Sequence, residues 1–158
     1  MKKILIASDH AGYEFKEALR LKSQAILAER GYEFHDLGTH TLESVDYPDY
    51  AKALYQNLTP TQKQKGSSEN KDTFGVLICG SGVGVSIMAN RYPEIRAVLA
   101  ESTTVARLAR EHNHANVLCL GARITNIDSA IQILKMFLDS KPDESDRHVK
   151  RINKLYEC

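Results

Sequence analysis

Cys79 runs directly into Gly80-Ser81-Gly82-Val83-Gly84, and no other stretch of the chain puts so much chemical potential in so few residues. A loop this rich in glycine turns backbone N–H groups inward at the start of a helix. Such a nest holds a phosphate or a developing oxyanion, helped by the helix dipole. The same helix N-terminus favours the thiolate form of a cysteine, which suits Cys79 to act as a nucleophile or base. Each feature also has a plainer reading: glycines that only make a tight turn, and a cysteine that is a small buried hydrophobe. Their adjacency favours chemistry. The spacing is GxGxG, not GxGxxG, and the loop follows a third strand, so it is a poor dinucleotide fingerprint. No Gly-Lys-Ser/Thr follows, which removes the P-loop reading as well.

Other polar residues fall where a parallel sheet gathers ligands, beyond the carboxyl ends of its strands. Asp9 and His10 follow the first strand, Glu101 the fourth, and Gly121-Ala122-Arg123 the fifth. His112-Asn113, at the far end of the helix before the fifth strand, is counted with this set as one expected edge. His112 falls in the last helical turn, where the dipole favours a cation, so a C-cap histidine and a catalytic one remain equally open. Arg147 and Arg151 are four apart and share one helix face. They suit bidentate phosphate recognition, or else a solvated face alongside Asp143, Glu144 and Asp146. His35, His40, His114 and His148 have no comparable placement. No group of histidines and acids has metal-ligand spacing, so metal catalysis is disfavoured.

The elements that must position these residues alternate between β-rich runs and amphipathic stretches. Strands are expected over residues 3–7, 32–37, 74–79, 95–100 and 116–120. Helices are expected over 13–30, from Asp46-Tyr47-Pro48 to about 58, from the glycine loop to about 92, from a Ser102 or Thr103 cap to about 112, over 127–138, and over 143–156. Five alternating strands imply a three-layer α/β/α sandwich on a five-stranded parallel sheet, Rossmann-like in plan. Residues 59–73 lack periodicity and read as a surface loop. There is no second core, so residues 1–158 read as one domain ending in a C-terminal helix over 143–158.

Bulk properties narrow the function classes. The 158 residues are 42% hydrophobic and 26% charged, ordinary globular usage. Twenty-one Lys and Arg against 20 Asp and Glu give a net charge of +1, no electrostatic footprint for nucleic acid. No apolar run approaches the roughly 18 residues of a membrane span. The apolar N-terminal stretch ends by Ala7, too short for a signal-peptide core. Three separated cysteines, Cys79, Cys119 and Cys158, match neither a disulfide framework nor a CxxC site. Cys119 reads as core and Cys158 as exposed. The expectation is a cytoplasmic protein with reduced thiols, acting on a small molecule, with neither nucleic acid nor membrane as partner.

Taken together, Ser8-Asp9-His10-Ala11-Gly12, Asp46-Tyr47-Pro48, Cys79-Gly80-Ser81-Gly82-Val83-Gly84, His112-Asn113, and Arg147-His148 with Arg151 resemble the type B ribose-5-phosphate isomerases of the ribose/galactose isomerase family. The likeness keeps the motif order over nearly the whole chain. It implies interconversion of ribose 5-phosphate and ribulose 5-phosphate, in the non-oxidative pentose phosphate pathway, without metal or organic cofactor. Carried over by position, Cys79 is the base that moves hydrogen between C2 and C1 through a cis-enediolate. Gly80, Ser81, Gly82, Val83 and Gly84 hold the enediolate oxygen, and His112 opens the furanose ring with Asp9 as partner. His10, Arg123, Arg147 and Arg151 bind phosphate, and Asn113 and Tyr47 contact sugar hydroxyls. The resemblance also implies the sheet order 2-1-3-5-4, and a homodimer or dimer of dimers whose sites draw on two chains. One family branch carries its base as a glutamate just after the glycine loop; Val85 stands there in this chain. Galactose-6-phosphate isomerase subunits typically lack the His-Asn pair that is present here. Isomerisation of allose 6-phosphate or galactose 6-phosphate, and non-catalytic phosphosugar binding, are the alternatives.

Overall fold

In the computed structural model, which describes residues 1–58 and 73–157, strands and helices alternate along the chain. The order is β1 (Lys2–Ser8), α1 (Tyr13–Glu29), β2 (Tyr32–Asp36), α2 (Tyr47–Leu58), β3 (Thr73–Cys79) and α3 (Val83–Ala89), followed by β4 (Ala97–Leu99), α4 (Thr103–Asn113), β5 (Val117–Gly121), α5 (Ile127–Asp139) and α6 (Asp146–Lys154). All strand pairs are parallel, in the order β2-β1-β3-β5-β4. This is the α/β class expected from the alternating elements, and the strand order that the resemblance implies. The surface-loop reading of 59–73 falls outside the described residues except at Thr73, which instead opens β3. The exposed reading of Cys158 lies outside them too.

The two faces of the sheet follow from side-chain alternation. Phe74, Val76 and Ile78 point to a core shared with Ile4, Ile6, Leu118 and Leu120 of the neighbouring strands and with Leu19, Leu27, Leu134 and Phe137 of α1 and α5. Leu77 and Cys79 point the other way, into a core with Leu5, Ala7, Cys119, Leu54, Leu58 and Val85. Every residue of β3 is buried, as a central parallel strand requires, and each buried Ile, Leu or Phe contributes about 1.5–3 kcal/mol. The period-two pattern thus delivers Cys79 to the face covered by α2 and α3. Cys119 lies on that face as well, fully buried, and burial pushes its thiol well above the ordinary range.

Some elements are shorter than their sequence patterns. β4 is a sheet edge with one neighbour, and only Ala97, Val98 and Leu99 pair with β5. α3 stops at Ala89, with Asn90 as its C-cap, because Asn90 turns back to Ala97: its side chain donates to the Ala97 carbonyl at 2.9 Å and accepts from the Ala97 N–H at 2.8 Å. α6 begins at Asp146, three residues after the expected start. The Asp143 carboxylate caps a turn there, accepting from Ser145 N at 2.9 Å, and those contacts hold it below the usual carboxylate range.

Candidate active site

The carboxyl ends of β1, β3 and β5 meet in a cleft of about 370 Å³ lined by Asp9, His10, Tyr47, Cys79, Gly80, Ser81, Gly84 and Arg123, together with Ala11 and Ile124. The central feature is the sulfur. Cys79 is the last residue of β3, only 5% exposed, and its Sγ accepts the Gly82 N–H at 3.1 Å. Gly82 sits at φ 77°, a conformation that a side chain strains, and a Cβ there would come within 2.6–3.0 Å of Leu99, Leu120 and Gly121. Only glycine lets the chain fold back over Cys79 and aim that N–H at sulfur. The Ser81 hydroxyl caps the following turn, accepting from Val83 N at 3.2 Å. Val83 itself opens α3 and is exposed.

Neighbouring elements set the remaining walls. The Ala122 and Arg123 N–H groups donate to the Cys79 and Gly80 carbonyls, each at 2.9 Å, which staples the turn after β5 to the glycine loop. A Cβ on Gly80 would lie 3.1 Å from Arg123 Nη1, so the guanidinium rests across bare backbone. Gly84 gives Tyr47 the same freedom: a Cβ there would be 2.8 Å from the phenol ring. Asp9 is 7% exposed and accepts the Gly12 N–H through Oδ1 at 3.0 Å, fixing the entry to α1. His10 Nδ1 stands 3.2 Å from both the amide nitrogen and the carbonyl oxygen of Val45. Either tautomer therefore keeps one bond to that loop.

His112 and Asn113 are not in this cleft. α4 runs back from the carboxyl end of β4, so its last turn lies beside the amino end of β5, and the single expected edge becomes two. Asn113 is exposed and lines a separate groove of about 410 Å³ with Arg96, Ala109 and Leu155. The helix end is firmly held. Arg110 lies over the rings of Phe74 and Phe137 and donates to the Ala115 carbonyl at 2.5 Å. The left-handed C-cap is His114, at φ 49°, with its Nε2 3.0 Å from the Asp143 carbonyl. The capping role thus belongs to His114, which leaves the His112 ring for other contacts.

The sequence reading passed over His148. Its ring stacks on that of His112, with centroids 4.4 Å apart and planes 10° from parallel. It is 5% exposed, and burial, then the neighbouring His112, lowers its pKa below the ordinary histidine value. The adjacency of His148 to Arg147 in the last helix was the one available signal. Arg147 and Arg151 are both exposed on α6, which packs against α4. Two polar clusters therefore stand at different ends of one chain: a sulfur, a glycine loop and one guanidinium at the carboxyl ends of the strands, and histidines with two guanidinium groups at the α4–α6 end.

Comparison with known proteins gives this arrangement relatives. The ribose/galactose isomerase profile matches residues 4–155. Ribose-5-phosphate isomerase B of Escherichia coli is 37% identical over 155 residues, 98% of this chain and 95% of its own length. A ribose 5-phosphate isomerase structure from Thermotoga maritima superposes with a TM-score of 0.85 at 44% identity, covering 99% of both chains. Ribose-5-phosphate isomerase B of Mycoplasma genitalium, solved with bound ribulose 5-phosphate, gives a TM-score of 0.83 at 33% identity over 98% of this chain and 94% of that one.

Proposed function

The chain belongs to the ribose/galactose isomerase family, and from that premise we propose that it interconverts ribose 5-phosphate and ribulose 5-phosphate. The observation that carries the reading is the Cys79 sulfur, held by the Gly82 N–H inside a cleft walled by Asp9, His10, Tyr47 and Arg123. Aldose–ketose isomerisation needs a base beside a carbon acid, a clamp for developing negative charge and an anchor for the rest of the substrate. Cys79, as thiolate, takes the proton from C2 of the open-chain aldose and returns it to C1, while a proton passes from the C2 oxygen side to the C1 oxygen side. Atoms and charge balance without a cofactor. The enediolate oxygens lie against the glycine loop of residues 80–84 and the Ser81 hydroxyl, with the Gly82 N–H serving the Cys79 sulfur. His10 and Arg123 take the phosphate, and Tyr47 a sugar hydroxyl.

His112, Asn113, Arg147 and Arg151 complete the site from a second copy of the chain. The two clusters support this reading: ring opening and full phosphate neutralisation would draw on groups that one chain carries at its opposite end. Val83 and Ile87, four apart on α3, are 46% and 62% exposed, and Ile124 beside the cleft is 59% exposed. Apolar surface at the mouth of a polar cleft fits burial against another protomer. In that assembly His112 protonates the ring oxygen as its bond to C1 breaks, Asp9 takes the C1 hydroxyl proton as the aldehyde forms, Asn113 meets a hydroxyl, and the two arginines clamp phosphate. The protein works as a single domain in the cytoplasm. Retention of His112-Asn113 favours the five-carbon sugar over galactose 6-phosphate. Among ribose 5-phosphate, allose 6-phosphate and galactose 6-phosphate, kcat/KM is highest for ribose 5-phosphate by roughly tenfold or more, the scale at which a pocket discriminates one carbon. A higher value for either six-carbon sugar overturns the assignment.

The arginines give a second test. A charge-assisted hydrogen bond contributes about 1.5–3 kcal/mol, so Arg147→Ala or Arg151→Ala lowers kcat/KM for ribose 5-phosphate by roughly ten- to a hundredfold. Lysine at either position restores only part, because charge returns without the planar fork. Turnover of unphosphorylated ribose, a poor substrate, is almost indifferent. Equal losses on both sugars make α6 structural.

A further inference from the structure

One fully buried charge has no part in the chemistry above. Lys16, on α1, has no solvent-exposed surface, and its Nζ donates to Asp36 Oδ1 at 2.6 Å and to the Thr39 carbonyl at 2.8 Å. Glu17 Oε1 lies 3.7 Å away and the Tyr13 ring 5.6 Å. Asp36, at the end of β2, accepts in turn from Arg20 Nη1 at 2.8 Å and Gly38 N at 3.0 Å, with His40 Nδ1 at 3.7 Å. A buried ammonium is costly unless its partners are well placed, and here both hydrogen-bond acceptors belong to one segment, residues 36–39.

That segment starts the connection from β2 to α2, whose far end builds the cleft. Its first residues bracket the end of β1: Ser8 N donates to the Gly38 carbonyl and Thr39 N to the Ser8 carbonyl, both at 2.7 Å, immediately before Asp9 and His10. Its last residues supply Val45, which holds His10 Nδ1, and Tyr47, whose ring lies on Gly84. In between, Leu42, Glu43 and Ser44 are exposed and offer little packing. We propose that Lys16 is a positioning residue of this site, fixing the Thr39 carbonyl and the Asp36 carboxylate so that residues 37–46 hold His10 and Tyr47 against the substrate. The inference rests on the isomerase reading for its effect on turnover, and on geometry alone for its effect on the loop.

Lys16→Met keeps the apolar stem and removes the ammonium. Lys16→Met combined with Asp36→Asn removes both charges, so no uncompensated buried ammonium remains to unfold the protein, while the amide oxygen still accepts from Gly38 N and Arg20 keeps Glu17. In whichever variant folds, KM for ribose 5-phosphate rises about ten- to a hundredfold, the scale of a small misplacement of a binding group. The kcat changes far less, and iodoacetamide alkylates Cys79 at the wild-type rate. Amide hydrogen exchange quickens over residues 37–46 and not in β3. Wild-type KM and wild-type protection in either folded variant overturn the proposal. So does equal loss of kcat and KM with faster exchange throughout the sheet, or failure of both variants to fold, since each makes Lys16 a general structural residue. If the wild type does not turn over ribose 5-phosphate, the functional reading fails, and hydrogen exchange alone decides the case of Lys16.

Discussion

Cys79→Ala abolishes isomerisation and spares the fold: kcat falls by roughly two to four orders of magnitude, the contribution of a positioned base. The sulfur is the one group in the cleft that combines a site at the carboxyl end of the central strand with a backbone N–H aimed at it. Removing it leaves the Gly82 amide, the Asp9 carboxylate and the Arg123 guanidinium in place, so binding persists while proton transfer stops. The structural cost is about 1 kcal/mol, that of an ordinary single substitution, and circular dichroism and Tm change little. Cys79→Ser is nearly as inactive, because a hydroxyl is a poor base without a partner to deprotonate it. Iodoacetate inactivates the wild type, and substrate protects it. Cys119 is the internal control: it lies on the same face, fully buried, with a thiol that burial keeps protonated, so Cys119→Ala retains turnover. If Cys79→Ala keeps more than about a tenth of the activity, proton transfer belongs elsewhere, and Asp9 is the next group to test.

The cleft was legible in the sequence because its determinants are local. Asp9 and His10 follow an apolar run, and Gly80, Ser81, Gly82, Val83 and Gly84 follow another, so the rule that ligands gather at strand ends assigns them a common edge. The face that Cys79 takes is set by strand alternation, but residues 74–79 are apolar on both faces, so the covering of the Cys79 side by α2 and α3 shows only in the fold. His112 was misplaced for a topological reason. A helix between parallel strands returns the chain to the opposite end of the sheet, so a residue just before a strand faces away from one just after it. His114 took the cap and His148 took the stack because both depend on the turn at Asp143, whose tertiary contacts to Glu111 and His114 leave no periodic trace in sequence. Lys16 shows the same limit in another form. It sits among Glu14, Glu17 and Arg20 like any solvated helix residue, and only the fold buries it against Asp36 and Thr39.

The central claim is that Cys79 of one chain and His112 of another make one active centre, and co-assembly of inactive variants tests it with the largest swing in signal. His112→Ala alone, like Cys79→Ala alone, is nearly inactive on furanose substrate, since one lacks the ring-opening acid and the other the base. Two-tag purification isolates dimers that pair a Cys79→Ala chain with a His112→Ala chain. In a two-fold dimer with shared sites, one centre then receives both substitutions and the other receives neither, so about half of the wild-type kcat per dimer returns. The complementary pairing joins a wild-type chain to a chain carrying both substitutions. There each centre holds one defect, and activity stays near the level of the single variants. The opposite pattern, an inactive mixed dimer of single variants and about half activity in the wild-type pairing, would place both residues in one chain's site and contradict the account.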